Sequence, residues 1–155
     1  MANRNFNRVQ ALDKELKHVY GVFKVGSSGA LSPAWADTSS LVGRSVGIKS
    51  VTKESGAGQY TLVLGTPGGE TDRYPALIGM DVAISCATQP GTDGGETWQI
   101  ISEQVNHASD AKLTFNFVNL NGAFDNPKNG AYVYVHLVLK NSDLALGSNN
   151  IEALP

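Results

Sequence analysis

At 155 residues, with 41% hydrophobic side chains, 17% charged side chains and a formal net charge of -2, the chain is long enough for one domain whose core needs no metal or disulfide. That balance, without a Lys/Arg block interleaved with aromatics, disfavours nucleic acid as a partner; one cysteine gives no disulfide framework. Neither a basic-then-apolar leader nor an 18-residue apolar run is present, so we expect a soluble protein with no membrane partner.

Residues 3 to 20 carry the first pattern. Phe6, Val9, Leu12, Leu16 and Val19 fall three and four apart, which places them along one side of a helix with Arg8, Lys14, Glu15 and Lys17 largely opposite. Asn3 or Asn5 caps its start and Gly21 stops it, giving a predicted helix of about 14 to 16 residues, marginal alone in water. The stripe therefore needs a partner surface, either its own sheet or another subunit.

Tyr20 to Val25 begins a series of short strands, broken by Gly26-Ser27-Ser28-Gly29. Residues 27 to 44 form a long polar segment in which Trp35 stands out, as a core side chain or an interface anchor. Ser45 to Lys53 and Gly58 to Leu64 flank the turn Glu54-Ser55-Gly56-Ala57 and read as a hairpin, with Tyr60, Leu62 and Leu64 on one face. Residues 66 to 76 and 88 to 96 are Gly/Pro-rich loops on either side of a half-buried strand from Leu77 to Cys86, whose cysteine reads as a small buried hydrophobe.

Thr97 to Val105 is a further strand. Residues 112 to 139 read as an antiparallel pair around the turn residues Asp125 to Gly130, and Tyr132 to Leu139 is apolar on both faces, which predicts a strand that is central or covered on both sides. After Lys140 an irregular tail spaces Leu144, Leu146, Ile151 and Leu154 among polar residues. The expected architecture is all-β, a β-sandwich or jelly-roll-like domain over 21–140, with an N-terminal helical arm over 1–20 and an extended C-terminal tail over 141–155.

Charge is uneven along the chain. Residues 1 to 53 hold eight Lys or Arg against three acids, and residues 54 to 110 hold one Arg against eight acids. This pattern fits either chance clustering on solvated faces or oppositely charged surfaces that meet between subunits and set their orientation.

Catalytic and metal motifs are missing. His18, His107 and His136 form no metal-ligand spacing, and Gly26-Ser27-Ser28-Gly29 is not a nucleophile elbow. The acids of Asp93-Gly94-Gly95-Glu96, with Asp72, lack the alternation that encloses calcium. No cofactor is expected. Tyr60, Tyr74, Trp35 and Trp98 would serve as a carbohydrate platform if exposed, or as core aromatics if not.

The opening Asn3-Arg4-Asn5-Phe6-Asn7-Arg8-Val9-Gln10-Ala11-Leu12, the turn into Val22 to Gly29, and Gly58-Gln59-Tyr60-Thr61-Leu62-Val63-Leu64 resemble a family of small tailed-bacteriophage virion proteins, often encoded near the major capsid protein. The resemblance implies a non-enzymatic structural role, most simply a capsid cement or decoration protein. It also implies the major capsid protein and copies of the chain itself as partners, and location in a virion assembled in the host cytoplasm. The interface candidates are Phe6, Val9, Leu12, Leu16, Trp35, Leu144, Leu146, Ile151 and Leu154. The alternative is a head-fibre or tail component that binds a carbohydrate or receptor.

Overall fold

Period-two alternation of β-branched and aromatic residues governs the chain, and it extends further toward the N-terminus than the helical spacing suggests. The computed structural model describes residues 16–31, 45–66, 70–85, 96–107 and 109–141. Among them the strands are β1 (Leu16–Lys24), β2 (Ile48–Lys53), β3 (Gln59–Leu64), β4 (Ala76–Ser85), β5 (Thr97–Gln104), β6 (Lys112–Val118) and β7 (Tyr132–Lys140). They form two antiparallel sheets, ordered β1-β7-β4 and β2-β3-β6-β5. The all-β expectation therefore holds, and both sheets contribute to one hydrophobic core.

The last turns of the expected helix are strand. In Leu16–Lys24 the side chains of Val19 and Phe23 are buried in the core, while His18 and Tyr20 are exposed. Leu16 and Val19, three apart, suit one helical face but sit on opposite faces of a strand. Full pairing with β7, from Leu16 opposite Lys140 to Lys24 opposite Tyr132, decides for the strand. The boundary placed after residue 20 thus falls inside β1, and residues 1–15 lie outside the described residues. Gly21, read as a helix stop, is instead mid-strand: a Cβ there would come within 2.2 Å of the Ile48 side chain from β2. The missing side chain lets the paired edges of the two sheets approach closely, and Tyr20 exchanges backbone hydrogen bonds with Val46 at the same place.

The β2–β3 hairpin forms as expected, with Lys53 opposite Tyr60 and a bulge between Ile48 and Ser50. The Lys53 ammonium donates to the carbonyls of Glu54 and Gly56, closing the turn. Desolvation pulls the Lys53 pKa below its ordinary value, and the nearby Glu54 carboxylate opposes that shift.

The expected β6–β7 pair does not form. β6 lies between β3 and β5, and β7 lies between β1 and β4 in the other sheet. The connection is too long for a tight hairpin, so it crosses from sheet to sheet. On the way it is fixed by Asp125 N–H to the Phe117 carbonyl, Gly58 N–H to Asn126 Oδ1 and Gly130 N–H to the Val25 carbonyl. β7 is central, as its composition predicts. However, only its inner face, Val133, Val135, Leu137 and Leu139, is buried.

At the middle of the core, the Tyr60 ring packs against Phe23 of the opposite sheet at 5.2 Å between centroids and edge-on against Phe117 at 5.7 Å. Its hydroxyl donates to the Gly29 carbonyl at 2.6 Å.

Two measurements test this account. Gly58 has φ +65°, and a Cβ there would sit 2.3 Å from the Asp125 carbonyl oxygen, so Gly58→Ala should cost about 2 kcal/mol or more by urea denaturation. Gly122, with φ +79° and nothing within 4 Å, should lose only about 1 kcal/mol as Gly122→Ala, the strain of the left-handed backbone itself. Burial also pushes the Tyr60 phenol above the ordinary tyrosine value, so above that value the unfolded chain sheds a proton that the folded chain keeps. Stability should fall above about pH 10 by up to about 1.4 kcal/mol per pH unit from this one group. Tyr60→Phe should be about 1 to 3 kcal/mol less stable at neutral pH, having orphaned the Gly29 carbonyl, and should lose less on going alkaline.

Candidate binding face

β7 joins β1 and β4 so that alternate residues of all three strands stand on the outer face of one sheet. Tyr20 is opposite His136, Val22 opposite Tyr134, and Lys24 opposite Tyr132; on the other flank Asp81 is opposite His136 and Ala83 opposite Tyr134. Tyr20 is 50% exposed, Tyr134 43% and Ile78, on the β4 bulge, 43%. Three tyrosines, two histidines and several aliphatic side chains thus share a face that the described strands leave open.

The centre of the face is ordered by ring contacts. His18 Nδ1 and His136 Nε2 are 2.9 Å apart, and the rings lie 14° from parallel with centroids 5.2 Å apart, so they meet edge to edge in an N–H···N bond. One ring donates and the other offers a lone pair, which requires at least one neutral imidazole. Tyr20 then lies parallel to His136, 2° between planes and 4.6 Å between centroids. At one end the Lys24 ammonium stands 5.4 Å from the Tyr132 ring centroid. The two imidazoles are the nearest approach to a ligand pair, but among the described residues no three His, Cys, Asp or Glu side chains come close enough to hold a metal ion.

A second location carries polar side chains. An open cavity of about 300 Å³ is lined by Pro75, Glu103, Gln104, Val105, Asn106 and His107. His107 Nδ1 accepts from both the N–H and, at 3.1 Å, the hydroxyl of Ser109, two residues on, and Glu103 Oε1 accepts the Val105 N–H. These are turn contacts. The serine faces the imidazole through a local loop, and the carboxylate is engaged with backbone, so the three do not line up as nucleophile, base and orienting acid.

Of the residues singled out in the sequence, Leu16 is half-buried at the start of β1. Phe6, Val9, Leu12, Trp35, Leu144, Leu146, Ile151 and Leu154 lie outside the described residues, as do Cys86 and Asp93, whereas Glu96 is half-buried and its N–H donates to the Val118 carbonyl. Of the four aromatics weighed as core residues or a carbohydrate platform, three take the core role: Tyr60 and Tyr74 are buried and Trp98 is half-buried against the core, while Trp35 lies outside the described residues. The exposed tyrosines are others, Tyr20 and Tyr134. The signal for them was the twin pattern His18-x-Tyr20 and Tyr134-x-His136, which gains meaning only once β1 and β7 are in register. Among the described residues no helix is long and apolar enough to cross a membrane. No family model, curated protein or solved structure matches the chain.

If this face serves binding more than folding, its internal contacts should be weak in the isolated protein. A double-mutant cycle on Tyr20→Ala and His136→Ala, followed by urea denaturation, should give a coupling of about 0.2 to 1 kcal/mol, the range of an ordinary cross-strand pair.

Proposed function

We propose that this protein is a non-enzymatic structural component of a tailed-phage virion, a capsid cement or decoration protein. In this reading its two sheets face each other as a β-sandwich, and its terminal segments clasp copies of itself and the major capsid protein. The observation that carries the reading is the pairing of the first and last described strands along their whole length, with Leu16 opposite Lys140. In this reading the N-terminal segment, as a helical arm, and the C-terminal tail start side by side at the end of one sheet where β4 also begins, with Ala76 opposite Lys140. A core that sends both segments out at one pole can bridge two neighbours from a single seat. The likeness of the Asn3 to Leu12 opening to virion proteins supports the same reading.

The mechanism is area. Apolar side chains such as Phe6, Val9 and Leu12, with Leu144, Leu146, Ile151 and Leu154 on the other arm, would each withdraw surface from water at ~25 cal/mol per Å². The contacts repeat over every copy on a shell, and no cofactor takes part.

The exposed Tyr20 and Tyr134 rings favour a second reading, in which the same face stacks against the apolar faces of sugars in a head-fibre or tail component. One face of the Tyr20 ring is already covered by His136, which leaves less of it for a sugar.

Deleting residues 1–15 or 142–155 should leave a folded core and weaken binding to shells that lack this protein by about 30-fold or more, the loss of a central anchor. Shell binding that is unchanged by both deletions refutes the clasp. Glycan-array binding by a protein that ignores shells would establish the second reading.

A further inference from the structure

We infer that His18 and His136 chelate a divalent transition-metal ion that takes its ligands at right angles, Ni²⁺ or Cu²⁺, on the outer face of the three-stranded sheet. Such a site does not depend on the virion role proposed above. Its two nitrogens come from the first and last described strands, in a register where Tyr20 is opposite His136 and His18, opposite Val138, lies on the diagonal.

The spacing of the nitrogens selects the ion. An imidazole nitrogen lies about 2.0 to 2.1 Å from a bound metal, so two of them are about 2.9 Å apart at a right angle and about 3.3 Å apart at the tetrahedral angle. His18 Nδ1 and His136 Nε2 are 2.9 Å apart. That is the right-angle value, which suits the tetragonal preference of Cu²⁺ and Ni²⁺ better than the tetrahedral one of Zn²⁺.

The two rings are also able to bind. His18 is exposed and His136 half-buried, so an ion reaches them from solvent. Without metal the two nitrogens share one proton in an N–H···N bond. With both rings neutral, the donor ring moves that proton to its other nitrogen, and the rings tilt until both lone pairs meet on the solvent side; no net proton is released. The Tyr20 ring, parallel to His136 at 4.6 Å, already restricts that imidazole, so the ion has mainly His18 to order. Among the described residues no third His, Cys, Asp or Glu is close enough to join them, so water fills the other positions and the ion exchanges freely.

Charge around the pair favours a cation. Asp81 is opposite His136 on the other flank. Lys24 and Lys140, on the same face, stand at least four residues along their strands, about 13 Å away and beyond the screening length of about 8 Å at physiological salt. The histidine pair is not needed to hold β1 on β7, because their backbones already pair over the whole of Leu16–Lys24 and an exposed hydrogen bond adds little to that.

The test uses full-length protein and NiCl₂ in buffer free of imidazole and chelators. In imidazole ¹H–¹⁵N spectra, paramagnetic broadening should reach His18 and His136 at lower Ni²⁺ than His107. By titration calorimetry His18→Gln and His136→Gln should each bind Ni²⁺ at least about tenfold more weakly than wild type, and His107→Gln equally well. Because one ligand comes from each strand, the ion binds only the folded chain. At a Ni²⁺ concentration about 100 times the Kd, the unfolding constant of wild type in urea should fall about 100-fold, and that of His18→Gln should stay put. The spectra need no variant, and urea curves without metal show that the variants fold. Broadening that begins at His107, a His18 or His136 variant that binds as tightly as wild type, or a wild-type urea midpoint unmoved by saturating Ni²⁺ would each overturn the inference.

Discussion

The hydrogen bond from the Tyr60 hydroxyl to the Gly29 carbonyl is the constraint on which one whole end of the molecule depends. A phenol at the centre of an apolar core must find an acceptor or forfeit the desolvation cost of its hydroxyl. Here the acceptor is supplied by a loop bent through two left-handed positions, Ser28 at φ 56° and Gly29 at φ 75°. The same loop is closed by Gly26 N–H to the Ala30 carbonyl and flanked by the Val25 and Ala131 backbone bond. Asn126 packs where a Gly29 side chain would be and accepts the Gly58 N–H, so the β2–β3 turn, the loop after β1 and the crossing before β7 are fastened to one another. Tyr60 also touches Phe23, Phe115 and Phe117, which joins that fastening to both sheets.

The opposite end is built differently. There Leu16, Lys140 and Ala76 stand side by side where β1 begins, β7 ends and β4 begins. The nearby side-chain contacts are peripheral: Lys17 lies 4.0 Å from Asp72 and 5.2 Å from the Tyr74 ring centroid. A half-exposed ion pair of that length adds little stability. One end of the molecule is therefore held by buried hydrogen bonds and aromatic packing, and the other is where β1 begins beside the end of β7.

What the sequence could convey was local. The β2–β3 hairpin was legible because its turn residues and the alternation of Tyr60, Leu62 and Leu64 sit within a few positions of one another. The central place of β7 was legible from its apolar content, although burial of both faces was not, since Tyr134 stays exposed. Leu16 and Val19 misled because a spacing of three satisfies a helical stripe, and only nine residues of pairing with a strand more than a hundred positions away overrule it. The β6–β7 connection misled for a related reason: turn residues mark a change of direction but do not say whether the chain returns to the same sheet. His18 and His136 carried no signal as a pair, because their 2.9 Å contact exists only in the β1–β7 register.

That register also separates the two outer surfaces by chemistry. Across the four-stranded sheet Thr52, Thr61, Thr114 and Ser102 fall in one row, and the Thr61 and Thr114 hydroxyls bond to each other at 3.0 Å. Thr61 and Thr114 are buried, and their mutual bond satisfies part of the hydrogen bonding that burial denies them from water. The three-stranded sheet presents Tyr20, Tyr134, Val22 and Val138 instead, for which water is a poor neighbour and a second apolar surface a better one. The polar positions on that face are His18, His136 and Asp81 at its centre and Lys24 and Lys140 at its two ends. The two outer faces therefore differ in chemistry, with paired threonine hydroxyls on one and an aromatic and aliphatic strip on the other.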